Sequence, residues 1–488
     1  MTGGGGGSTP RGAVLNRRTV LGGAASAAVG LGVVKLVVSH PWTALLDPAG
    51  RSAWPSPLGS ERARVAQLLR RATFGITPAA LEPGLSPYQR TIDSILGAGA
   101  AEPPGLVSPG DPTRGARLEG SELQRWWLRH ILSTQTPLAE RMTYFWHGHF
   151  TSSLDKVDAL FMYWQNLTWR RRSLDKLGRM LREVTIDPAM LTYLDLATSD
   201  ASDPAQPPNE NYARELMELF TLGPGGYREA DVKAAARALA GWTTPPPDKQ
   251  VEIVVDEKTG AKAPIDVWYE QRRGAFAPDM AYDGAVSYLN RRGKLGLDGV
   301  IDQILGQPAT AKFLARKVAI QFISPAPAEE TVQQIAGRFR ASGYDLGELM
   351  RAAFTSPEFS AAASYRALVK SPLEFMVSAA GAVKAGTKET IELFLGYGEG
   401  MGESLFQPPN VAGWPPNGGW ISPSTMLARF NFVSDLLDGL PSVPSARGAE
   451  DLHLDGVLST STAKRLAQSD SDRERWLVIL ASPEFNLK

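Results

Sequence analysis

The sequence predicts a mainly α protein: a large multi-helix globular domain with a small antiparallel β excursion around residues 250–276. Three observations lead to this fold class. The chain has 488 residues, of which 43% are hydrophobic, so it can bury a large core. Apolar residues recur at helical spacing through most of the chain after residue 60. The sequence shows no strand–helix alternation and no glycine-rich loop between a strand and a helix, which argues against dinucleotide-binding and P-loop folds.

Charge and cysteine content limit the function. Lys plus Arg and Asp plus Glu are each 51, and the sequence has neither an excess nor a stripe of positive charge. We therefore expect no nucleic-acid partner. The lack of cysteine excludes disulfides, thiol nucleophiles and thiolate metal sites. Only five histidines are present, so a histidine metal site must draw on those five.

The first 45 residues are typical of an export signal. Adjacent Arg17 and Arg18 precede a weakly apolar Gly/Ala/Val segment, the pattern of a twin-arginine signal. Lys35 interrupts this segment, whereas a transmembrane anchor needs about 20 strongly apolar residues. No clear cleavage site follows, so the only membrane contact we expect is a tether formed by an uncleaved signal. A disordered start followed by an ordinary helix is the alternative interpretation.

Export predicts a secreted or cell-envelope location. After the signal, residues 46–60 are predicted to form a proline-rich spacer, and residues 61–488 a single large helical domain.

The helical domain begins with clear boundary signals. Ser60 is a suitable N-cap for the segment SERARVAQLLRRATFG, and Gly75 ends its apolar pattern. In SELQRWWLRHIL, Ser121 and Gln124 have the spacing of a capping box. Pro137 occupies a first-turn position in TPLAERMTYFWHGHF. Further helical segments follow in the order DPAMLTYLDL, EADVKAAARALAGW, PATAKFLARKVAIQFIS, AEETVQQIAGRFRAS, DLGELMRAAF, VKSPLEFMVSAAGAV, STMLARFNFVSDLLDGL and DRERWLVILASPEF.

The predicted β excursion is the segment KQVEIVVDEKTGAKAPIDVWYEQRRGAFAP. It alternates polar and apolar residues, carries β-branched side chains and contains a Thr-Gly turn. We expect two or three antiparallel strands there.

The segment PPNENYARELMELFTLGPGG predicts a helix with carboxylates beside its buried face. Asn209 or Asn211 can cap this helix, and Glu210 then lies near the positive end of the helix dipole. At about 100° per residue, Glu215 and Glu218 lie next to the apolar stripe rather than on the water-facing side. Two interpretations remain open. The carboxylates either form ion pairs with nearby arginines, or they act as a general acid/base pair or as metal ligands.

The segment YFWHGHF places His147 and His149 two residues apart. In extended chain this spacing points both imidazoles the same way, whereas on a helix they face opposite sides. Together with a carboxylate such as Glu215, the pair is a candidate site for zinc, iron or manganese, so a divalent metal is the cofactor to consider. The alternative is two hydrogen-bonded histidines among the neighbouring aromatic residues.

The segment FQPPNVAGWPPNGGWISPST predicts an ordered loop, because its prolines fix the backbone and prevent a helix. Trp414 and Trp420 can stack on sugar rings, and Asn410 and Asn417 can bond to hydroxyl groups. The alternative is that both indoles fill the core and Asn410 caps a turn. Ordered loops of this kind often carry function.

These segments, in this order, resemble the bacterial family called domain of unknown function 1800. The resemblance covers the chain from about Arg62 onward. It is most specific in NENYARELMELFTLG and in FQPPNVAGWPPNGGWISPSTMLARFNF, and it also includes QLLRRATFGITP, ERMTYFWHGHFTSS, DPAMLTYLD, ARALAGW, FLARKVAIQFIS, VKSPLEFMV and ASPEF. The resemblance implies an exported, mainly helical protein. It also implies a neighbouring exported partner from a sulfatase-like family, domain of unknown function 1501. It brings no established activity.

Two departures from the family pattern weaken a metal site. Gln67 stands where members often have histidine, and Tyr282-Asp283-Gly284 replaces a His-Asp-x-Gly segment.

We expect an envelope or secreted enzyme that acts on an extracellular or cell-wall polymer, with a polysaccharide favoured. The alternative is a non-enzymatic scaffold or partner of the sulfatase-like protein. The candidate catalytic residues are Glu210, Glu215, Glu218 and His147; the candidate substrate-binding residues are Asn209, Asn211, Asn410, Trp414 and Trp420; the candidate metal ligands are His147, His149 and Glu215.

Overall fold

The computed structural model describes residues 54–76, 81, 87–101, 118–203, 205–244, 273–386 and 388–488. The predicted export signal (residues 1–45), residues 46–53 of the predicted spacer, and residues 250–272 of the predicted β excursion lie outside the described residues.

The described residues are mainly helical, which confirms the predicted fold class. They form nineteen α-helices: α1 Glu61–Ala72, α2 Tyr88–Gly97, α3 Gly120–Ser133, α4 Pro137–His149, α5 Ala159–Arg172, α6 Leu177–Thr185, α7 Pro188–Tyr193, α8 Asn211–Glu215, α9 Glu229–Leu239, α10 Leu297–Gly306, α11 Pro308–Phe322, α12 Glu329–Ala341, α13 Leu346–Phe354, α14 Pro372–Ala382, α15 Lys388–Gly398, α16 Pro423–Asp438, α17 Ala449–His453, α18 Thr460–Ala467 and α19 Asp472–Ala481. Helix α8 continues directly into a π-helical turn over Leu216–Thr221.

Local sequence explains most helix starts. The Ser60 side chain caps α1 by accepting the Ala63 N–H, as predicted. Pro137 occupies the first turn of α4, also as predicted. The prediction for α3 was wrong: the helix begins two residues earlier, and its capping box uses Glu119 and Glu122. Glutamate thus takes the role that we expected Ser121 and Gln124 to fill.

Two short antiparallel pairs are the only strands in the part of the chain that the structure describes. Strand β1, Trp242–Thr243, pairs with β2, Ala275–Phe276, so β2 lies at the end of the predicted β excursion. Strand β3, Val286–Tyr288, pairs with β4, Arg291–Gly293, in a hairpin that the sequence pattern did not predict.

The buried apolar side chains form two large clusters. One is built mainly from α1, α4, α6, the α8 region and α9–α13, and the other from α3, α5 and α14–α19. Helix α4 contributes to both, since Met142 and Trp146 lie in the first cluster and Tyr144 in the second. The end of α4, which carries both predicted histidines, therefore lies deep between the two halves of the core. Among the described residues, no helix is both long and apolar enough to span a bilayer.

Candidate functional site

The fold brings the three predicted motifs together at the end of α4. His149 Nε2 lies 3.0 Å from the carbonyl oxygen of Phe220, which belongs to the π-helical turn after α8. His147 Nε2 accepts the backbone N–H of Phe406 at 2.9 Å, at the start of the predicted tryptophan loop. The His-Gly-His segment thus connects the carboxylate helix to this loop, residues 406–422, which we call the Trp loop.

The Trp loop is fixed tightly against α4. Gly413 has a φ of +84°, and a Cβ at that position would lie 2.5 Å from the carbonyl oxygen of Gly148. Phe406 itself has a left-handed backbone, with a φ of 63°, which is uncommon for a bulky residue. Its N–H is held by His147, and its carbonyl oxygen accepts from Leu154 N at 2.9 Å.

Both histidines are buried and neutral. Burial lowers the pKa of His147 to about 3. Burial, and then the positive charge of Lys317, lower the pKa of His149 well below its usual value. Neither imidazole changes its charge near pH 7, so His147 is poorly suited to carry protons there.

The two imidazoles contact different elements, as the helical spacing predicts. His147 packs against Trp127, Trp169 and Trp414, whereas His149 stacks on Phe145. Within the described residues, no group of three or more histidines and carboxylates could hold a metal ion. The geometry therefore gives no support to the metal set His147, His149 and Glu215.

The first part of the carboxylate helix has a structural role. Asn209 is exposed, and its side-chain oxygen accepts the Asn211 N–H at 2.8 Å, which satisfies an amide at the helix start. Glu210 forms an ion pair with Arg214 at 3.2 Å, and Arg214 also binds Glu229 at 2.7 Å. The ion-pair interpretation therefore fits Glu210.

Glu215 and Glu218 have a different environment. Both are half-buried, and Glu218 accepts a hydrogen bond from the Tyr227 hydroxyl at 2.6 Å. Among the described residues, no cation lies within 4.0 Å of either carboxylate. Burial raises the pKa of Glu215, and the negative charge of Glu218 raises it further, while Arg214 opposes the shift. These two carboxylates thus keep the properties expected of an acid/base pair.

Further polar residues that the sequence motifs did not single out lie around this pair. Burial, then the negative charges of Asp155 and Glu215, raise the pKa of Tyr193, so both carboxylates act on this tyrosine. Asp155 Oδ1 accepts from Gln407 Nε2 of the Trp loop at 3.3 Å. Tyr193 lies in the stretch DPAMLTYLD, which the family resemblance includes, and that was the one signal that could have found it. Asp155 carries no such signal. We call Asp155, Tyr193, Glu215, Glu218 and Tyr227 the acidic site.

One side of the acidic site is held by Asp195. Its φ is 60°, a left-handed conformation that aspartate tolerates better than most residues. The Asp195 carboxylate binds Lys156 Nζ at 2.6 Å and lies 3.5 Å from the Asn211 side-chain nitrogen. Asn211 thus helps to join α8 to the end of α7.

The Trp loop residues divide between core and surface. Trp420 is buried in a small cluster with Val369 and Leu487, so it fills the core, as the alternative interpretation proposed. Asn410 is exposed, and its side chain caps a turn by accepting the Ala412 N–H at 2.8 Å. Trp414 is half-buried, with its ring 5.0 Å from the His147 ring. Of the two indoles, only Trp414 retains an accessible face.

Gln67, one of the two departures from the family pattern, is a structural residue here. It is 1% exposed, and its side-chain nitrogen donates to the Phe359 carbonyl oxygen at 2.5 Å.

A groove of about 750 Å³ lies away from all predicted site residues. Its charged lining residues neutralise one another, as in the pairs Lys176–Asp345 and Arg338–Glu348. Because its charges are already matched, this groove offers a weaker chemical case than the acidic site.

Comparison with known proteins assigns the family. The family model described as "Protein of unknown function (DUF1800)" matches residues 67–487. The chain belongs to this family. No curated protein and no solved structure matches this DUF1800 protein. The matched range includes every residue of the acidic site and the whole Trp loop.

Proposed function

We propose that this DUF1800 protein is an exported enzyme that acts on an extracellular or cell-wall polymer, with carbohydrate as the favoured class. The observation that carries the proposal is the pair Glu215 and Glu218, which is half-buried and free of arginine partners among the described residues. A carboxyl group with a raised pKa beside a second carboxyl group is the arrangement that acid/base catalysis at a glycosidic bond uses.

The roles of the two carboxyl groups follow from their surroundings. Glu215, whose pKa is raised, is the general acid that protonates a leaving oxygen. The Glu218 carboxyl group accepts the Tyr227 hydroxyl at 2.6 Å and is thereby held in place, so it is the group that activates water or stabilises positive charge. Tyr193 and Asp155 extend the polar surface toward the Trp loop, where hydroxyl groups of a polymer would bind.

The choice of carbohydrate rests on side-chain chemistry. Tyrosine and tryptophan present flat apolar faces together with hydrogen-bonding groups, which suits the faces and hydroxyls of sugar rings. Tyr193 and Tyr227 supply such groups next to the carboxylates, and Trp414 supplies a half-buried indole on the Trp loop. Export, as Arg17 and Arg18 predict, would bring the enzyme to extracellular polymers.

The test is the substitution Glu215→Gln. Purified protein is incubated with a panel of cell-wall and extracellular polysaccharides, and new reducing ends are measured. We expect the wild type to release them from at least one polymer, and Glu215→Gln to lower kcat by about 100-fold or more, as loss of a general acid does. Glu330→Gln is the control, since Glu330 is an exposed glutamate of α12 outside the acidic site.

Two results would overturn the proposal. One is a Glu215→Gln variant that retains the wild-type rate on a polymer that the wild type cleaves. The other is a complete lack of turnover on the whole panel by correctly folded wild type.

A second function is favoured by the Trp loop surface. Its residues Pro409, Asn410, Pro415 and Pro416 are exposed, although the loop backbone is tightly held by α4. A rigid exposed surface loses little entropy on binding, which suits a scaffold for the sulfatase-like partner. Co-expression with that partner, followed by gel filtration of the complex, would test this function, and Pro415→Asp is expected to weaken the complex.

A further inference from the structure

A group of fully buried polar atoms lies between α4 and α5, apart from the acidic site. His147, Asn166 and Trp169 are each 0% exposed. His147 Nδ1, Trp169 Nε1 and both amide atoms of Asn166 have no hydrogen-bond partner among the described residues. Buried polar groups of folded proteins are almost always hydrogen-bonded, so four such atoms require a partner.

Helix packing brings His147 and Trp169 together and places Asn166 on the same side of α5. The Trp169 ring lies 5.4 Å from the His147 ring of α4, and Arg170 binds Glu140 of α4 at 2.7 Å. Asn166 lies one helical turn before Trp169 and Arg170 of α5. Viewed along the helix axis, its side chain leaves in a direction between those of Trp169 and Arg170. Asn166 therefore lies on the side of α5 that packs against α4.

The position of the imidazole proton follows from the contact to the Trp loop. His147 Nε2 accepts the Phe406 N–H at 2.9 Å, so this nitrogen carries the lone pair. A neutral imidazole then has its proton on Nδ1. The site offers three donor groups, namely His147 Nδ1–H, Trp169 Nε1–H and the Asn166 amide, and one acceptor, the Asn166 oxygen.

We propose that at least one buried water molecule is bound between α4 and α5, accepting from His147 Nδ1–H and Trp169 Nε1–H and donating to Asn166 Oδ1. A buried water typically makes about three hydrogen bonds to groups that would otherwise be unpaired. A metal cation does not fit, because three of the four atoms carry hydrogen. An anion would accept from the donors but would leave the Asn166 oxygen without a donor.

This water has a consequence for the Trp loop. By accepting the Nδ1–H it keeps the proton on Nδ1, and the lone pair on Nε2 is then available to Phe406. The water thereby helps to hold the left-handed backbone at the start of the loop. His147 is a positioning residue in this arrangement, and the water fixes its tautomer.

Water contacts of the tryptophan indoles test the proposal in solution. The protein is labelled with ¹⁵N at the indole nitrogens, and magnetisation transfer from water to each indole N–H is measured by NMR, with signals assigned by Trp169→Phe and Trp146→Phe. We expect transfer to the Trp169 indole and none to the Trp146 indole, which donates to the Ser173 carbonyl oxygen at 3.2 Å.

A second measurement uses Asn166→Leu, which has a similar volume and no polar atoms. We expect magnetisation transfer from water to the Trp169 indole N–H to fall at least threefold in this variant. Unchanged transfer would mean that the water does not bind Asn166, and would overturn the proposal. If this variant does not fold, the wild-type measurement decides by itself, since a Trp169 indole without water contact overturns the proposal.

Crystallography of the wild type distinguishes the ligand. A density peak at about 2.7–3.2 Å from His147 Nδ1, Trp169 Nε1 and Asn166 Oδ1, refined as water, supports the proposal. A peak that shows anomalous scattering of chloride or bromide after soaking overturns it. Direct hydrogen bonds from His147 Nδ1, Trp169 Nε1 and Asn166 to other protein atoms, with no water between them, also overturn it.

Discussion

Asp187 shows how burial alone changes the chemistry of a residue. It is 2% exposed and caps α7, where its Oδ1 accepts from the N–H groups of Ala189 and Met190 and from Gln165 Nε2. These contacts favour the ionised form, but burial outweighs them and raises the pKa of Asp187 to about 8. The carboxyl group is thus largely protonated in the folded protein at neutral pH.

The shift predicts a pH dependence of stability. Since the folded-state pKa of Asp187 is above its ordinary value of 3.8, folding binds a proton. The contribution of Asp187 to stability is therefore complete below pH 3.8 and is lost as the pH rises toward about 8. Asparagine retains the accepting oxygen but cannot ionise. We expect the free energy of unfolding of Asp187→Asn to rise relative to that of the wild type by about 3–4 kcal/mol from pH 5 to pH 8, because one pKa unit corresponds to about 1.4 kcal/mol.

Urea unfolding of both proteins at pH 5 and pH 8 measures this difference. The control is Asp345→Asn, because Asp345 caps α13 in the same way but is 37% exposed and pairs with Lys176. An unchanged difference between Asp187→Asn and the wild type across the two pH values would contradict the prediction.

The three glutamates around α8 show what could not be predicted from the sequence. The sequence placed Glu210, Glu215 and Glu218 on one helix and left ion pairing and catalysis open for all three. The structure separates them, because Arg214 lies one turn after Glu210 and binds it, whereas Glu215 and Glu218 lie beside tyrosines. Four-residue spacing allows Arg214 to reach either Glu210 or Glu218. Arg214 turns to Glu210 because it also binds Glu229 of α9, and spacing along one helix does not contain that information.

At the scale of elements, helix α8 departs from the expected geometry. The prediction that Glu215 and Glu218 lie next to the apolar stripe assumed about 100° per residue. The chain instead forms a π-helical turn over Leu216–Thr221, which has more residues per turn and alters the angle between the two side chains. Thr221 stabilises the turn, since its hydroxyl donates to the Leu216 carbonyl oxygen at 2.5 Å. Such turns have no clear sequence pattern, but they occur frequently at functional sites.

The Trp loop was predicted as an ordered element because proline content is visible in sequence. What holds it could not be predicted, because the contacts come from α4, which lies far earlier in the chain. Gly413 approaches the backbone of Gly148 so closely that any side chain at position 413 would collide with α4.

This close approach predicts a loss of stability in Gly413→Ala. The new Cβ would lie 2.5 Å from the Gly148 oxygen, and alanine is also disfavoured at a φ of +84°. We expect thermal unfolding to show a loss of about 3 kcal/mol or more. Gly402→Ala is the matched control, because Gly402 has a φ of +93° but a Cβ there would have no other atom within 4 Å.

The control separates backbone strain from collision. Gly402→Ala is expected to lose only about 1–2 kcal/mol, the cost of the left-handed backbone. If both variants lose the same amount, the contact between Gly413 and Gly148 does not hold the loop.

At the scale of the whole molecule, helix periodicity was sufficient to predict the fold class but not how the helices meet. Periodicity shows which face of each helix is buried, as for α1 and its run from Val65. It does not show the partner of that face. The acidic site illustrates this limit, since Asp155, Tyr193 and Glu215 come from three separate segments and act on one another only in the folded protein.

Arg71 of α1 connects the most distant parts of the fold. It is fully buried, and its guanidinium donates to the carbonyl oxygens of Phe322 at 3.1 Å, Ile323 at 2.8 Å, Ser364 and Lys488 at 3.3 Å. Burial lowers the pKa of Arg71 to about 9, which reflects the cost of placing this cation in the core. The four carbonyl oxygens compensate that cost, and they depend on Arg71 in turn.

The removal of Arg71 is therefore expected to destabilise the molecule as a whole. Arg71→Met retains most of the side-chain volume but leaves buried carbonyl oxygens without a donor, at about 1–3 kcal/mol for each one that finds no other partner. We expect urea unfolding to show a loss of about 3 kcal/mol or more, in a single transition, because the contacts join α1, the end of α11 and the segments before and after α14–α19. Arg64→Met is the control on the same helix, since Arg64 is half-buried and its ion-pair partner among the described residues is the exposed Glu61, so its loss is expected to stay within about 0.5 kcal/mol. A separate early transition in Arg71→Met, with the remainder unfolding as in the wild type, would mean that Arg71 stabilises only its own helix.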